Sequence, residues 1–256
     1  MTKDLENKLY SAVTRQLTNL FDLTEGERDL MSAMFPEAVD RTLYCFSHIN
    51  NKYFQRGEIN PLHSVQYTQF LYYCANTVFH GIDTGAKQQK TPMPASDENQ
   101  DLPNMNSGRL IINNDEIAET SRSLCSKLYM LNKALSACEI YYEVELPDIF
   151  LLEHPVGTVM GRGKFSNYFF FLQNCTVGAN NNLYPEFGER VVMCAGSKVL
   201  GTSHIGSNVI ISADTCVIDQ DVPDNSIVFG RSPNLIIKPG HKDKIDAMIE
   251  ENFLII

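Results

Sequence analysis

Between Val191 and Asp221 the chain reads VVMCAGSKVLGTSHIGSNVIISADTCVIDQD, and apolar residues recur there every six positions: Met193, Val199, Ile205, Ile211 and Val217. Four places after the first four of these sit smaller residues, Ser197, Ser203, Val209 and Thr215. An α-helix would repeat near 3.6 and a lone strand every second residue. A repeat of six with large and small positions predicts a left-handed parallel β-helix, a triangular coil with six residues to a side. Each large residue points into the prism and each small one fits a tight corner. Successive coils stack through parallel-strand hydrogen bonds.

The ladder extends backward from there. Ile140, Leu146 and Leu152 are six apart, and after a one-residue slip at EHPVG it resumes at Val159, Phe165, Phe171 and Val177. From Gly178 to Arg190 it breaks for GANNNLYPEFGER, a polar, Asn-rich stretch predicted to project as a loop, where functional groups often sit. After Val217, DVPDNSIVFGRSPNLIIKPG reads as a terminal extended segment. His241 to Glu251 reads as a short helix and NFLII as an apolar tail.

The N-terminal half has a different period. Leu5, Leu9, Val13, Leu17 and Leu20 predict a helix over residues 3 to about 34, ended by Pro36. A second helix is expected from Pro36 to Phe54, and a third from near Ser64 through QYTQFLYYCANTVF, aromatic enough to be buried on several sides. A fourth is expected over about Asn114 to Ala137, with Ile117, Leu124, Leu128 and Leu131 on its apolar face. Residues 83–108, polar and rich in Pro, Asn, Gln and Asp, read as an inserted surface loop. The class is therefore α+β: an all-α domain over residues 1–138, a β-helix over 139–240, and a helix and tail over 241–256.

With 31 acidic against 21 basic residues the net charge is -10, which argues against a nucleic-acid surface. The seven cysteines include no CxxC pair, and Cys175, Cys194 and Cys216 fall within the ladder as small apolar residues, a usage that fits a reducing cytoplasm. MTKDLENKLYSAV lacks the apolar stretch of a signal peptide, and no run is long enough to span a bilayer. No set of ligands suggests a metal.

Among the six histidines, His154 stands apart, because EHPVG interrupts the ladder at its slip. The others, His204 included, read as surface or packing residues. If a coil takes roughly eighteen residues, Glu139 lies about one coil from His154. A carboxylate holding one imidazole nitrogen leaves the other as a base near neutral pH. Spacing alone leaves open whether His154 is that base.

DIFLLEHPVGTVMG, FLQNCTVGA and LYPEFGERVVMCAGSKVLG, with the ladder that follows, resemble serine O-acetyltransferase, a hexapeptide-repeat family that uses acetyl-CoA. The resemblance covers about residues 110 to 240 and runs without gaps from Glu139 to Gly161. It implies direct attack of a hydroxyl on the thioester, with His154 as general base and Glu139 in place of the family's orienting aspartate. Glu153 matches the family's acidic acceptor-pocket residue. A groove between adjacent β-helices of a homotrimer, or a dimer of trimers, would take acetyl-CoA along Ala179, Ala195, Gly196 and Ala213. A backbone N–H near Ala179 would face the oxyanion, and Arg231 or Lys238 would meet the CoA phosphates, or else be solvated charges.

The chain departs from the family at Leu183-Tyr184-Pro185, where the resemblance implies an Arg-His pair before the proline. Leucine cannot pair with the carboxylate of serine, and a tyrosine hydroxyl is a poor base at neutral pH. Tyr184 remains an acceptor-side residue, and Arg190 is the replacement cation the sequence offers. The final residue, Ile256, is of the kind that in this family inserts into a partner sulfhydrylase. Two other readings stay open: O-acetylation of a sugar or nucleotide sugar of a surface polysaccharide, which has no carboxylate to bind, and a non-catalytic β-helix assembly subunit.

Overall fold

A computed structural model describes residues 1–88 and 114–255. The first helix, α1 (Lys3–Leu20), starts on the Thr2 hydroxyl and buries Leu9, Val13 and Leu17, one turn apart. The break expected at Pro36 comes earlier, at Phe21 to Leu23. Thr24 and Glu27 then form a capping box that opens α2 (Glu25–Ser47), which carries Pro36 in its interior. A proline there costs one backbone hydrogen bond, but Phe35, Ala38 and Val39 on either side of it are buried, and that packing holds the helix through. The Glu27 carboxylate is buried and also takes Lys127 Nζ at 2.6 Å and Ser123 Oγ at 2.7 Å. Burial alone would raise its pKa, yet these bonds and the Thr24 N–H hold it below the ordinary value.

The aromatic stretch forms α3 (Ser64–Gln88), buried continuously from Val65 to Val78 against α2 and α4 (Asn114–Ser136). In α4, Leu124, Leu128 and Leu131 are buried as expected, whereas Ile117 is partly exposed, at 39%. The segment read as a loop over 83–108 begins as the last turns of α3; its remainder, residues 89–108, lies outside the described residues.

From Glu139 the chain coils as a parallel β-helix with three faces. The first face stacks β1 (Glu139–Ile140), β3 (Val159–Met160), β5 (Thr176–Gly178), β8 (Lys198–Leu200) and β11 (Cys216–Ile218). The second stacks β2 (Phe150–Leu152), β4 (Phe169–Phe171), β7 (Val191–Met193), β10 (Val209–Ile211) and β12 (Ser226–Arg231). The third pairs β6 (Glu186–Phe187) with β9 (His204–Ile205), flanked by bridges to Lys164 and Val222. Every pairing along these faces is parallel. Met193, Val199, Ile205, Ile211 and Val217 are all buried inside the prism, and Ser197, Ser203 and Thr215 are buried beside them.

Two details of the ladder differ from the sequence reading. The slip at EHPVG is longer by one residue, so Met160, paired with Ile140 and Val177, points inward while Val159 is exposed. The excursion after Gly178 is also shorter, because Glu186 and Phe187 already belong to the third face. What projects is a tight hairpin: Asn180 and Leu183 exchange both backbone hydrogen bonds, and Asn181 and Asn182 take φ of 50° and 59°. Asparagine tolerates this left-handed conformation better than other side chains, which accounts for the Asn run.

The open end of the first coil sits on α3. Gln69, Tyr72, Tyr73 and Asn76 donate to the backbone carbonyls of Phe150, Val144, Asp148 and Tyr142, and Leu146 N–H donates to the Tyr72 hydroxyl. At the other end β12 turns into antiparallel β13 (Asn234–Pro239), and α5 (Lys242–Asn252) folds back with Ile245, Ile249 and Phe253 buried. Phe253 packs edge-on to Phe170 and Tyr168 of the second face. Ile256 lies outside the described residues. All seven cysteines are free thiols. Among the described residues no helix is long and apolar enough to cross a membrane, and no group of three or more potential ligands could hold a metal ion.

Candidate active site

Glu153 and His154 follow β2 at the corner where the second face turns into the first, and both are exposed. His154 holds φ at 49°, so the backbone bends sharply beneath the ring. Gly157 completes the bend with φ of 74°. A Cβ there would lie 2.3 Å from Asn174 Oδ1, so any other residue would be strained at this φ and would have to displace the Asn174 side chain. The acid-His-x-x-Gly motif is thus a corner that presents an imidazole outward.

The same corner on later coils is built from Ala195-Gly196 and Ala213-Asp214. Gly196 N–H donates to Gln173 O, Asp214 N–H to Ala195 O, and Asn174 N–H to Val156 O, which ties one coil to the next along this edge. His154, Ala195, Gly196 and Ala213 therefore line one edge, with small residues leaving it open. Ala179 lies on the other edge of the first face, before the hairpin.

Glu139 stands at the head of the first face, but its carboxylate is taken by Lys133 Nζ of α4, and the His154 ring has no hydrogen-bond partner among the described residues. The contact of Glu139 with His154 suggested by spacing is not made. The coil between Glu139 and its partner Val159 is longer than eighteen residues, and Lys133, six places before Glu139, lies within reach of its carboxylate. The closest imidazole–carboxylate approach among the described residues is instead His204 Nδ1 to Asp221 Oδ1, 3.0 Å. It borders an open groove of about 530 Å³ on the third face, also lined by Glu186 and Asp224. Both side chains are well exposed, at 62% and 75%, so this pair has the outward position expected of His204.

Arg190 does not reach Tyr184. It precedes β7 on a different edge, where its guanidinium faces Asp246 of α5 at 3.6 Å. The cation beside Tyr184 is Arg162, a residue that sequence reasoning missed. Lys164 bridges Glu186 across coils, and its N–H donates to Pro185 O, so Arg162 and Tyr184, each two residues earlier, stack on neighbouring coils. Arg162 Nη2 also bonds Glu143 Oε2 at 2.7 Å, from the coil before. Glu143 and the Tyr184 hydroxyl together hold the guanidinium's pKa above its ordinary value. The signal in the sequence was a lone arginine between two glycines, Gly161 and Gly163, just after a ladder position. Of the two cations expected near CoA phosphates, Arg231 closes the outer row of the first face beside Cys216, and Lys238 of β13 sits over the Phe229 ring at 5.2 Å.

No family model matches the chain. Its sequence is similar to a serine acetyltransferase of Synechococcus elongatus, 31% identical over 115 residues, which is 43% of this chain and 47% of that protein. The chain spans about half the length of the curated relatives it matches. In fold it is similar to a serine acetyltransferase solved in complex with CoA, with a TM-score of 0.56, 15% identity, and 82% of this chain and 75% of that one covered. It is similar too to one solved in complex with cysteine, with a TM-score of 0.58, 16% identity, and 89% and 77% covered. These likenesses establish the fold, an α-helical N-terminal domain followed by the left-handed β-helix.

Proposed function

We propose that the chain is an acetyl-CoA-dependent serine O-acetyltransferase, forming O-acetyl-L-serine for cysteine biosynthesis. The observation that carries this reading is the exposed imidazole of His154 on an edge continued by Ala195, Gly196 and Ala213. An imidazole there is free to take the hydroxyl proton of an acceptor, and the small residues leave room for the pantetheine arm. The likeness to proteins named serine acetyltransferase, one of them solved with CoA, supports the same reading.

In the proposed reaction His154 removes the serine hydroxyl proton as the oxygen attacks the thioester carbonyl. The oxyanion of the tetrahedral intermediate meets a backbone N–H near Ala179. Collapse expels the CoA thiolate, which takes the proton from the imidazolium. Glu139 orients the ring once its carboxylate leaves Lys133, and Glu153 lies on the acceptor side. Arg231, and with it Lys238, would meet the CoA phosphates from the far end of the β-helix.

His154 and Tyr184 lie on opposite edges of the first face, so the groove that joins them runs between two copies of the chain. A homotrimer about the β-helix axis, or a dimer of such trimers, supplies three grooves. The seven free thiols suit a cytoplasmic protein.

The test is release of free CoA, read with a thiol reagent, on L-serine beside a panel of sugars and nucleotide sugars. Saturable turnover of serine is expected. Turnover of sugars alone would overturn the acceptor, and acetyl-CoA binding without turnover would leave a non-catalytic assembly subunit.

A further inference from the structure

We propose that Arg162 and Glu143 form the recognition pair for a zwitterionic amino-acid acceptor, Arg162 binding its carboxylate and Glu143 its ammonium group. This rests on the acetyl-transfer reading above and names the residues that select the acceptor.

The argument starts from the hairpin edge. Leu183 carries no charge, and Arg190 is held by Asp246 elsewhere, so neither can meet a carboxylate beside Tyr184. Arg162 can. Its guanidinium has five N–H donors, and the single bond to Glu143 Oε2 leaves donors free for a bidentate partner. It is also mostly exposed, at 58%, so a ligand can approach without unburying it.

Glu143 supplies the opposite charge 2.7 Å away. An α-amino acid carries its ammonium and carboxylate groups on one carbon, a spacing that matches an Arg–Glu pair opened by one ligand. A neutral sugar would have to break the same pair with nothing charged to replace it. The glycines on either side of Arg162 keep the approach clear. Neither Gly161 nor Gly163 has a side chain to stand beside the guanidinium. The Tyr184 hydroxyl, on the next coil, closes the far side.

The experiment compares the full-length protein with Arg162→Ala, Arg162→Lys and Glu143→Gln, in steady-state kinetics and in calorimetric titration of L-serine with CoA present. For Arg162→Ala the KM and Kd for serine should rise about 10- to 100-fold, the value of a charge-assisted hydrogen bond, with the KM for acetyl-CoA unchanged. The penalty should shrink on serine ethyl ester, which lacks the carboxylate, and Arg162→Lys should recover part of it. Glu143→Gln should weaken serine but not 3-hydroxypropionate, which lacks the ammonium. Unaltered serine KM and Kd in both Arg162→Ala and Glu143→Gln would overturn the pair while leaving the acetyl-transfer reading intact. A wild-type protein that neither binds serine nor turns it over would overturn the serine acceptor and the pair together.

Discussion

The first and second faces of the β-helix share one inward ladder and differ in what lies outside it. On the second face the outward row Leu151, Phe170, Val192, Ile210 and Ile227 is buried, with Phe253 packed against Phe170. On the first face the matching row is Glu139, Val159, Thr176, Lys198 and Cys216, and apart from Cys216 it remains open or half-open to solvent. One face is finished by its own chain. The other is left for something else, and the residues of the proposed site, Lys238 of β13 apart, lie on it, at its edges, or on the coils beside them. The same repeat can therefore serve stability on one side and chemistry on the other, because only the outward positions change.

That contrast can be broken by substitution. Phe253→Ala removes an aromatic ring from the covered face and should cost about 3–5 kcal/mol in denaturant unfolding. A loss under about 1 kcal/mol would mean that the C-terminal helix is a loose attachment. His154→Ala, at the edge of the open face, should leave unfolding unchanged and lower kcat by about 10²-fold or more, with acetyl-CoA affinity retained. Full activity would remove His154 from the chemistry.

Glu27→Gln, within the helical domain, should cost about 2 kcal/mol near neutral pH. The folded-state pKa of Glu27 is depressed, so its contribution is present above the unfolded value and fades as pH falls through the folded one. The wild-type and Gln proteins should therefore converge in melting temperature below about pH 4, and a constant gap down to pH 3 would contradict the assignment. The smallest effect on folding is expected for Val159→Ser, within about 0.5 kcal/mol. Val159→Asp on the same open face should shift the assembly toward smaller species in size-exclusion chromatography, and an unchanged profile would place the subunit contact elsewhere.

The period of six made the β-helix legible, because large residues inside a triangular prism must recur at that interval whatever surrounds them. The helical half was legible in its apolar spacing but not in its boundaries. Pro36 read as a stop, yet the packing of Phe35, Ala38 and Val39 carried α2 through it. His154 was visible because it broke a pattern. The partner of Glu139 was not, since Lys133 belongs to α4 and its reach depends on how that helix meets the first coil. Arg162 escaped notice for the opposite reason: it sits between two ladder positions and breaks no pattern, and its meaning comes from Glu143 one coil before and Tyr184 one coil after.

A parallel coil has no natural last rung. Its terminal strands present rows of unused donors and acceptors, the template on which chains add to one another and grow into fibres. The side chains of Gln69, Tyr72, Tyr73 and Asn76, set along α3, occupy that row at the first coil. The helical domain is therefore a chain terminator as well as a scaffold, and it keeps a self-complementary stack finite.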